Sequence, residues 1–257
     1  MVTSKIEQPR RPVTRESIML WVIHRFAAEF GQHAVLRGGM ALRLLDSTRY
    51  TNDIDYVFVP FESKKEVAPY LKQILDNLED AKIEMSINSK VVCFDIRLDN
   101  VAIQVEATVA LKCGSTPVAS ASLAIPQGEL SRIVNIMPPD AALAHKLAAW
   151  NERRLLRDLY DAYFLFSRVG VAPCRDILLA RLGRVQSRIP VLQKRKSMSL
   201  ENFLSEFDFS LEELSDFRLQ QEMEGLLDVI ELTGLAARMR VSLSKLSQGL
   251  AMQLHDA

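Results

Sequence analysis

Apolar positions recur with two different periods along this chain, and the period changes near its middle. Ile18, Val22 and Phe26 stand at i, i+4 spacing between residues 14 and 30 and are followed by Gly31, which predicts a helix and its stop. Residues 33–37 predict a short apolar strand that runs into Gly38 and Gly39, and residues 40–46 resume a helical pattern. The stretch 54–59, IDYVFV, predicts a strand closed by Pro60. Val67, Leu71, Ile74, Leu75 and Leu78 mark one face of a charged amphipathic helix over 62–80. Strand-like stretches follow at 82–87, 91–98 and 101–110, the last two joined by Asp99-Asn100, a good two-residue hairpin turn. Residues 111–137 read as loop with a late strand near 132–136.

After Pro138, Pro139 and the capping Asp140, the period is helical to the end. Helices are expected at 140–151, 153–168, 174–187, 199–206, 210–232 and 235–253. The chain therefore reads as α+β, with an α/β domain over 1–137 and an all-helical domain over 138–257.

Composition narrows the class. With 257 residues, 48% hydrophobic and 25% charged, the chain has enough apolar material for a real core. Its formal net charge of +0 means that any nucleic-acid contact must come from a local patch. Cys93, Cys113 and Cys174 are odd in number and far apart, which argues for reduced thiols and against a disulfide framework or a zinc site. The amino terminus lacks the apolar core of a signal peptide, and no apolar run reaches the roughly 18–20 residues of a membrane span. A cytoplasmic protein is expected. Charge is uneven in the second half. Ile177 to Met198 contains no acid but carries Arg181, Arg184, Arg188, Lys194, Arg195 and Lys196, whereas Arg218 is the only base from Glu201 to Glu231. Two readings stand: solvated faces of opposite sign that pack on each other, or a phosphate-contacting patch over 181–196.

The candidate chemistry lies in the first half. On a strand, Asp53 and Asp55 point to one face and Ile54, Tyr56 and Phe58 to the other. Two like charges so close need a cation, and no Lys or Arg follows at a neighbouring same-face position. A divalent ion is the natural counter-charge, and hard carboxylate oxygens suit Mg²⁺ or Mn²⁺. Glu106, in the apolar stretch VAIQVEATV, is the favoured third carboxylate, with Asp95 as its competitor. Gly38-Gly39 between strand and helix lets the backbone approach a phosphate and aim free N–H groups at it.

Gly-Gly, thirteen residues, Asp-Ile-Asp and a later strand acid resemble the nucleotidyltransferase fold of polymerase-β-like enzymes. The stretch LRGGMALRLLDSTRYTNDIDYVF, together with HKLAAWNERRLLRDLYDAYFL over His145 to Leu165, resembles the AbiEii/AbiGii nucleotidyltransferase toxins. The resemblance covers about residues 30–170. It implies a nucleotidyltransferase-fold mixed sheet followed by a helical bundle, and an NTP substrate with Mg²⁺ or Mn²⁺. In this reading Gly38 and Gly39 form the phosphate turn, with Arg49 and Thr51 beside the nucleotide, and Asp53, Asp55 and Glu106 are the metal ligands. Lys146 matches a lysine that contacts phosphates. Asp158 matches the acid of the Arg-Asp pair and is expected to be catalytic or orienting, with Asp161 as the other candidate. Gly39 departs from the serine of many relatives and removes a hydroxyl contact.

The resemblance further implies the toxin of a toxin–antitoxin or phage-defence pair, with an antitoxin encoded alongside and the 3′ end of tRNA as acceptor. A small-molecule or protein hydroxyl as acceptor, and a non-catalytic nucleotide-binding module, are the alternatives. A plainer reading of the second motif is exposed ion pairs at i, i+4, Arg154 with Asp158 and Arg157 with Asp161, each contributing about 0.2–0.5 kcal/mol. Tyr160, Tyr163 and Phe164 read as packing residues.

Overall fold

The strand carrying the two aspartates organises the first half of the chain. The computed structural model describes residues 11–187 and 189–255. In chain order the first elements are α1 (Arg15–Phe30), β1 (Ala34–Arg37), α2 (Gly38–Arg43), β2 (Asp53–Phe58), α3 (Lys64–Leu75), β3 (Lys82–Ile87), β4 (Val92–Leu98), β5 (Val101–Val109), β6 (Thr116–Ala119), α4 (Ala121–Ala124) and β7 (Ile133–Ile136). The strands form one mixed sheet in the order β3-β4-β5-β2-β1-β7-β6. β2 is central, antiparallel to β1 and parallel to β5.

Local chemistry explains the boundaries. Thr14 caps α1 by accepting the Ser17 N–H, and the Ser17 hydroxyl accepts the Thr14 N–H in return. Asp99 takes a positive φ of 51° at the β4–β5 turn, as a tight hairpin requires. Phe26 of α1 meets Tyr56 and Phe58 edge-on, with ring centroids 5.3 and 5.6 Å apart. Burying each such ring stabilises by about 1.5–3 kcal/mol. The face of β2 opposite the aspartates is therefore core.

The later elements are α5 (Pro139–Arg153), α6 (Leu156–Phe164) with a π turn over Leu165–Val169, α7 (Arg175–Leu182), α8 (Pro190–Gln193), α9 (Leu200–Glu212), α10 (Asp216–Met223), α11 (Val229–Leu232) and α12 (Leu235–His255). In their core Phe203 and Phe207 stack and Trp150 meets both edge-on, together with Leu147, Leu159 and Leu243. No helix among the described residues is long and apolar enough to cross a membrane.

The chain divides by its internal contacts into two units. One runs to Met40 and resumes over Asn52–Ile136; the other takes Ala41–Thr51 and everything from Met137. The second half of α2 and the segment after it thus pack with the helices, and Leu42 lies in the helical core. The boundary passes through the interval between the glycine pair and Asp53.

Three expectations are corrected. The helix expected over 210–232 is broken, because Ser215 caps a fresh helix at Asp216 and Gly225 turns the chain at φ 73°. The helix expected over 174–187 ends at Leu182, before Gly183. The loop expected over 111–137 contains β6, which pairs antiparallel with β7. Pro117 hid that strand from the sequence, and β6 tolerates it because it lies at the sheet edge.

Candidate active site

An acidic cluster lies on the more exposed face of the sheet. Register sets Asp55 directly across from Glu106 on β5 and from Arg37 on β1. Residues opposite each other share a face, so Arg37, Asp55 and Glu106 form one row across three strands. Asp53 stands opposite Gln104, one step along the same face, and Gln104 stands opposite Asp95 and donates to its Oδ1 at 3.1 Å. Glu106 is thus in the row of Asp55, whereas Asp95 is one strand further out and in the row of Asp53. Burial, then the charges of Asp55 and Asp53, push the Glu106 carboxyl up, while Arg37 pulls it down.

Arg37 corrects a sequence inference. No cation follows Asp55 along its own strand, but antiparallel pairing places one across from it. The signal was available: Arg37 ends the apolar strand just before the glycine pair, and pairing that strand with β2 brings it opposite Asp55. Its buried Nε has no hydrogen-bond partner among the described residues.

Gly38 sits at φ 70°, and a Cβ there would stand 2.2 Å from Asp55 Oδ2. A side chain at this position is excluded twice, by backbone conformation and by the carboxylate itself. The first turn of α2 begins at Gly38, so the glycine pair forms the helix start rather than a linker before it.

The chemistry of the donors fits a hard divalent cation, since Asp53, Asp55, Glu106 and Asp95 share one face with the Gln104 amide, beside a glycine that leaves Asp55 room. Among the described residues, no three His, Cys, Asp or Glu side chains are already gathered into a metal-binding group. The orphaned Arg37 N–H fits an anionic oxygen such as a phosphate.

A second cluster of charged residues lies within the helical unit. Asp161 is fully buried on α6 and accepts from Arg49 Nε at 2.7 Å and Nη2 at 2.9 Å. Lys146 of α5 brings its Nζ to 2.5 Å from Asp161 Oδ2 and 3.9 Å from Asp158 Oδ1. Asp158 is in turn held by Arg153, at 2.6 and 3.1 Å. Burial alone raises the Asp161 pKa, but Lys146 and Arg49 outweigh it and hold the carboxyl below its ordinary range. Burial likewise disfavours the Arg49 charge, and Asp161 more than restores it. Three cations share two carboxylates, leaving the cluster with positive charge to offer.

This arrangement replaces the exposed i, i+4 pairs of the plainer reading. Arg154 sits at φ 55° between α5 and α6, which breaks the helix before Asp158, and it bonds Asn151 and Glu206 instead. Arg157 is exposed, while Asp161 points inward. Of the residues expected around the nucleotide, Arg49 joins Lys146, Asp158 and Asp161; Thr51 belongs to the same segment, Ala41–Thr51. Sequence spacing gave no sign that Arg49 reaches Asp161, 112 positions away. Tyr160, Tyr163 and Phe164 are buried in the helical core, as packing residues.

The basic stretch 181–196 is partly neutralised. Arg181 bonds both oxygens of Glu152, and Arg195 pairs with Glu206. Arg188 lies outside the described residues.

The nucleotidyl transferase AbiEii toxin family, of a type IV toxin–antitoxin system, matches residues 22–230. The chain belongs to that family. Membership makes it a nucleotidyltransferase toxin that uses an NTP and has an antitoxin counterpart. This AbiEii family member is similar in structure to MenT4, a nucleotidyltransferase toxin from Mycobacterium tuberculosis H37Rv, at 16% identity and a TM-score of 0.58, covering 91% of this chain and 82% of that one. It is also similar to JHP933 from Helicobacter pylori, at 17% identity and a TM-score of 0.52, covering 94% of each chain. A putative nucleotidyltransferase from H. pylori matches over 96% of this chain and 99% of that one, at 14% identity and a TM-score of 0.52. Identities this low speak for the fold alone. No curated protein sequence matches.

Proposed function

We propose that this family member transfers a nucleotidyl group from an NTP to RNA, at the 3′ end of tRNA, in a reaction that depends on Mg²⁺ or Mn²⁺. The observation that carries this reading is the register of Asp55 with Glu106 beside Gly38. Asp53, Asp55 and Glu106 would hold the metal. A divalent ion bound there supplies charge neutralisation for the triphosphate and Lewis acidity at the α-phosphate. The acceptor hydroxyl oxygen attacks the α-phosphorus, the bond to the β-phosphate oxygen breaks, and pyrophosphate leaves. The hydroxyl proton passes to a carboxylate of the row, and Glu106 stands directly across from Asp55.

The N–H groups at Gly38 and Gly39 and the Arg37 guanidinium receive phosphate oxygens. Lys146 compensates the charge of the triphosphate. Asp161 and Asp158, each engaged by its own arginine, act as positioning residues that hold the lysine ammonium in place. Arg184, Lys194 and Lys196 remain to track a phosphate backbone.

The test is labelled-NTP incorporation into total RNA with each of the four nucleotides, with and without Mg²⁺, using Asp55→Ala as control. Label entering RNA only with metal and only in the wild type is expected. Undiminished incorporation by Asp55→Ala would falsify the mechanism. A second reading, in which a protein or small-molecule hydroxyl is the acceptor, is favoured by the ion pairs that occupy Arg181 and Arg195. Label entering cell protein instead of RNA would select it. A cytoplasmic location fits the unpaired cysteines and the NTP substrate.

A further inference from the structure

Helix α1 has two working faces. Val22, Ile23 and Phe26 enter the core, and Phe26 covers the Tyr56–Phe58 side of the sheet, opposite the acidic row. Ser17, Trp21, His24 and Ala28, at three- and four-residue spacing, line a cavity of about 390 Å³ on the flank of the helix. Its far wall is the segment between α4 and β7, with Gln127, Glu129 and Arg132. The cavity therefore adjoins the helix on the reverse face of the sheet and shares no residue with the acidic row.

A small network fixes the wall. Ser120 Oγ accepts the Arg132 N–H at 2.9 Å and lies 2.8 Å from His24 Nε2. Burial, and then the Arg132 charge, push His24 down to about 4, so the ring is neutral at pH 7 and shares a hydrogen bond with the serine hydroxyl. The backbone at Arg132 is thereby tied to α1.

The charges in the cavity do not balance. Arg11, Arg25 and Arg132 line it against a single carboxylate, Glu129. Arg11 reaches Asp80 and Asp99 at 3.2 and 3.6 Å. Among the described residues, no ion pair engages Arg25 or Arg132. The Arg25 guanidinium instead lies over the Trp21 ring, 5.3 Å from its centroid. Arg25 and Arg132, both exposed, bring more positive charge to the cavity than Glu129 offsets, which suits an anion. A half-buried indole beside them offers a flat surface to an aromatic ring, and pairing stacking surfaces with cations is how proteins hold single nucleotides of a strand. The volume suits one such unit.

We infer that this cavity binds one nucleotide, with its phosphate on Arg25 and Arg132 and its base against Trp21, on the reverse side of the sheet from the catalytic carboxylates. The ligand is either a free nucleotide or one residue of a single-stranded RNA. The inference stands whether or not RNA is the acceptor of the transfer reaction.

The full-length protein, without divalent metal, is titrated separately with AMP, with adenosine and with a ten-residue oligoadenylate, following tryptophan fluorescence. Trp21 and Trp150 are the two tryptophans, and Trp150 is buried in the helical core. Saturable quenching by AMP or by the oligonucleotide, at least tenfold weaker with adenosine, is expected. Quenching by AMP marks a free-nucleotide site, and quenching by the oligonucleotide alone marks an RNA strand. Trp21→Phe should lose the signal, and Asp55→Ala should keep it. Arg25→Glu with Arg132→Glu should weaken binding at least tenfold, with Arg25→Gln and Arg132→Gln as the milder pair if charge reversal prevents folding. No saturable quenching with either phosphorylated probe, an unchanged midpoint in the folded arginine variants, or loss of the signal in Asp55→Ala would each overturn the inference.

Discussion

Asp161 grips Arg49 through two parallel hydrogen bonds of 2.7 and 2.9 Å, and the same carboxylate holds the Lys146 ammonium at 2.5 Å. One fully buried acid thus serves two cations from distant parts of the chain. A buried charge pair adds little to stability over an apolar isostere, but removing one partner strands the other. Asp161→Ala is expected to cost about 3–5 kcal/mol in urea unfolding. Arg49→Lys keeps the charge but loses the fork, and it should recover only part of the wild-type stability. A double-mutant cycle over Arg49 and Asp161 with no coupling would refute the pairing.

The pH dependence follows from the direction of the Asp161 shift. Its carboxyl is depressed in the folded protein, so its contribution is fully present above the unfolded value of about 3.9 and fades as pH falls through the lower folded value. The stability gap between wild type and Asp161→Asn should therefore be constant from pH 5 to 7 and close below pH 4. A gap that widens on acidification would contradict the assigned sign.

Gly38 tolerates no side chain. Gly38→Ala places a methyl group 2.2 Å from Asp55 Oδ2 at a positive φ. The conformation alone costs about 1–2 kcal/mol, before the clash is counted. Nucleotide incorporation is expected to fall by more than tenfold as Asp55 is displaced. Wild-type turnover in that variant would show that Asp55 is not held where the reaction needs it.

Glu106 makes the acidic row repulsive. Glu106→Gln should raise the metal-free melting temperature by a few degrees, since about 1 kcal/mol corresponds to roughly 2–4 °C for a domain of this size. It should also reduce the additional stabilisation given by Mg²⁺. Equal Mg²⁺ responses in wild type and variant would remove Glu106 from the metal site.

Tyr56 carries a hydroxyl with no hydrogen-bond partner among the described residues, buried against Phe26 and Phe58. An unsatisfied buried hydroxyl costs about 1–3 kcal/mol. Tyr56→Phe is therefore expected to match or exceed wild-type stability in thermal melting. A clear loss would reveal a partner for the hydroxyl.

The sequence by itself determined most of the elements and named the candidate reactive groups. Period-two alternation put Asp53 and Asp55 on one face and Tyr56 and Phe58 on the other, because strand geometry leaves no other choice. Glycine chemistry marked the junction of β1 and α2, and the paired motifs named the family. Tertiary structure decided which groups meet. Arg37 faces Asp55, and Glu106 rather than Asp95 shares its row, because register is a property of strand pairs and not of one strand. Arg49 serves Asp161 because the segment after Gly39 packs with the helices, and no local spacing encodes a contact over 112 residues. β6 was invisible because Pro117 argues against a strand wherever the sheet edge is unknown.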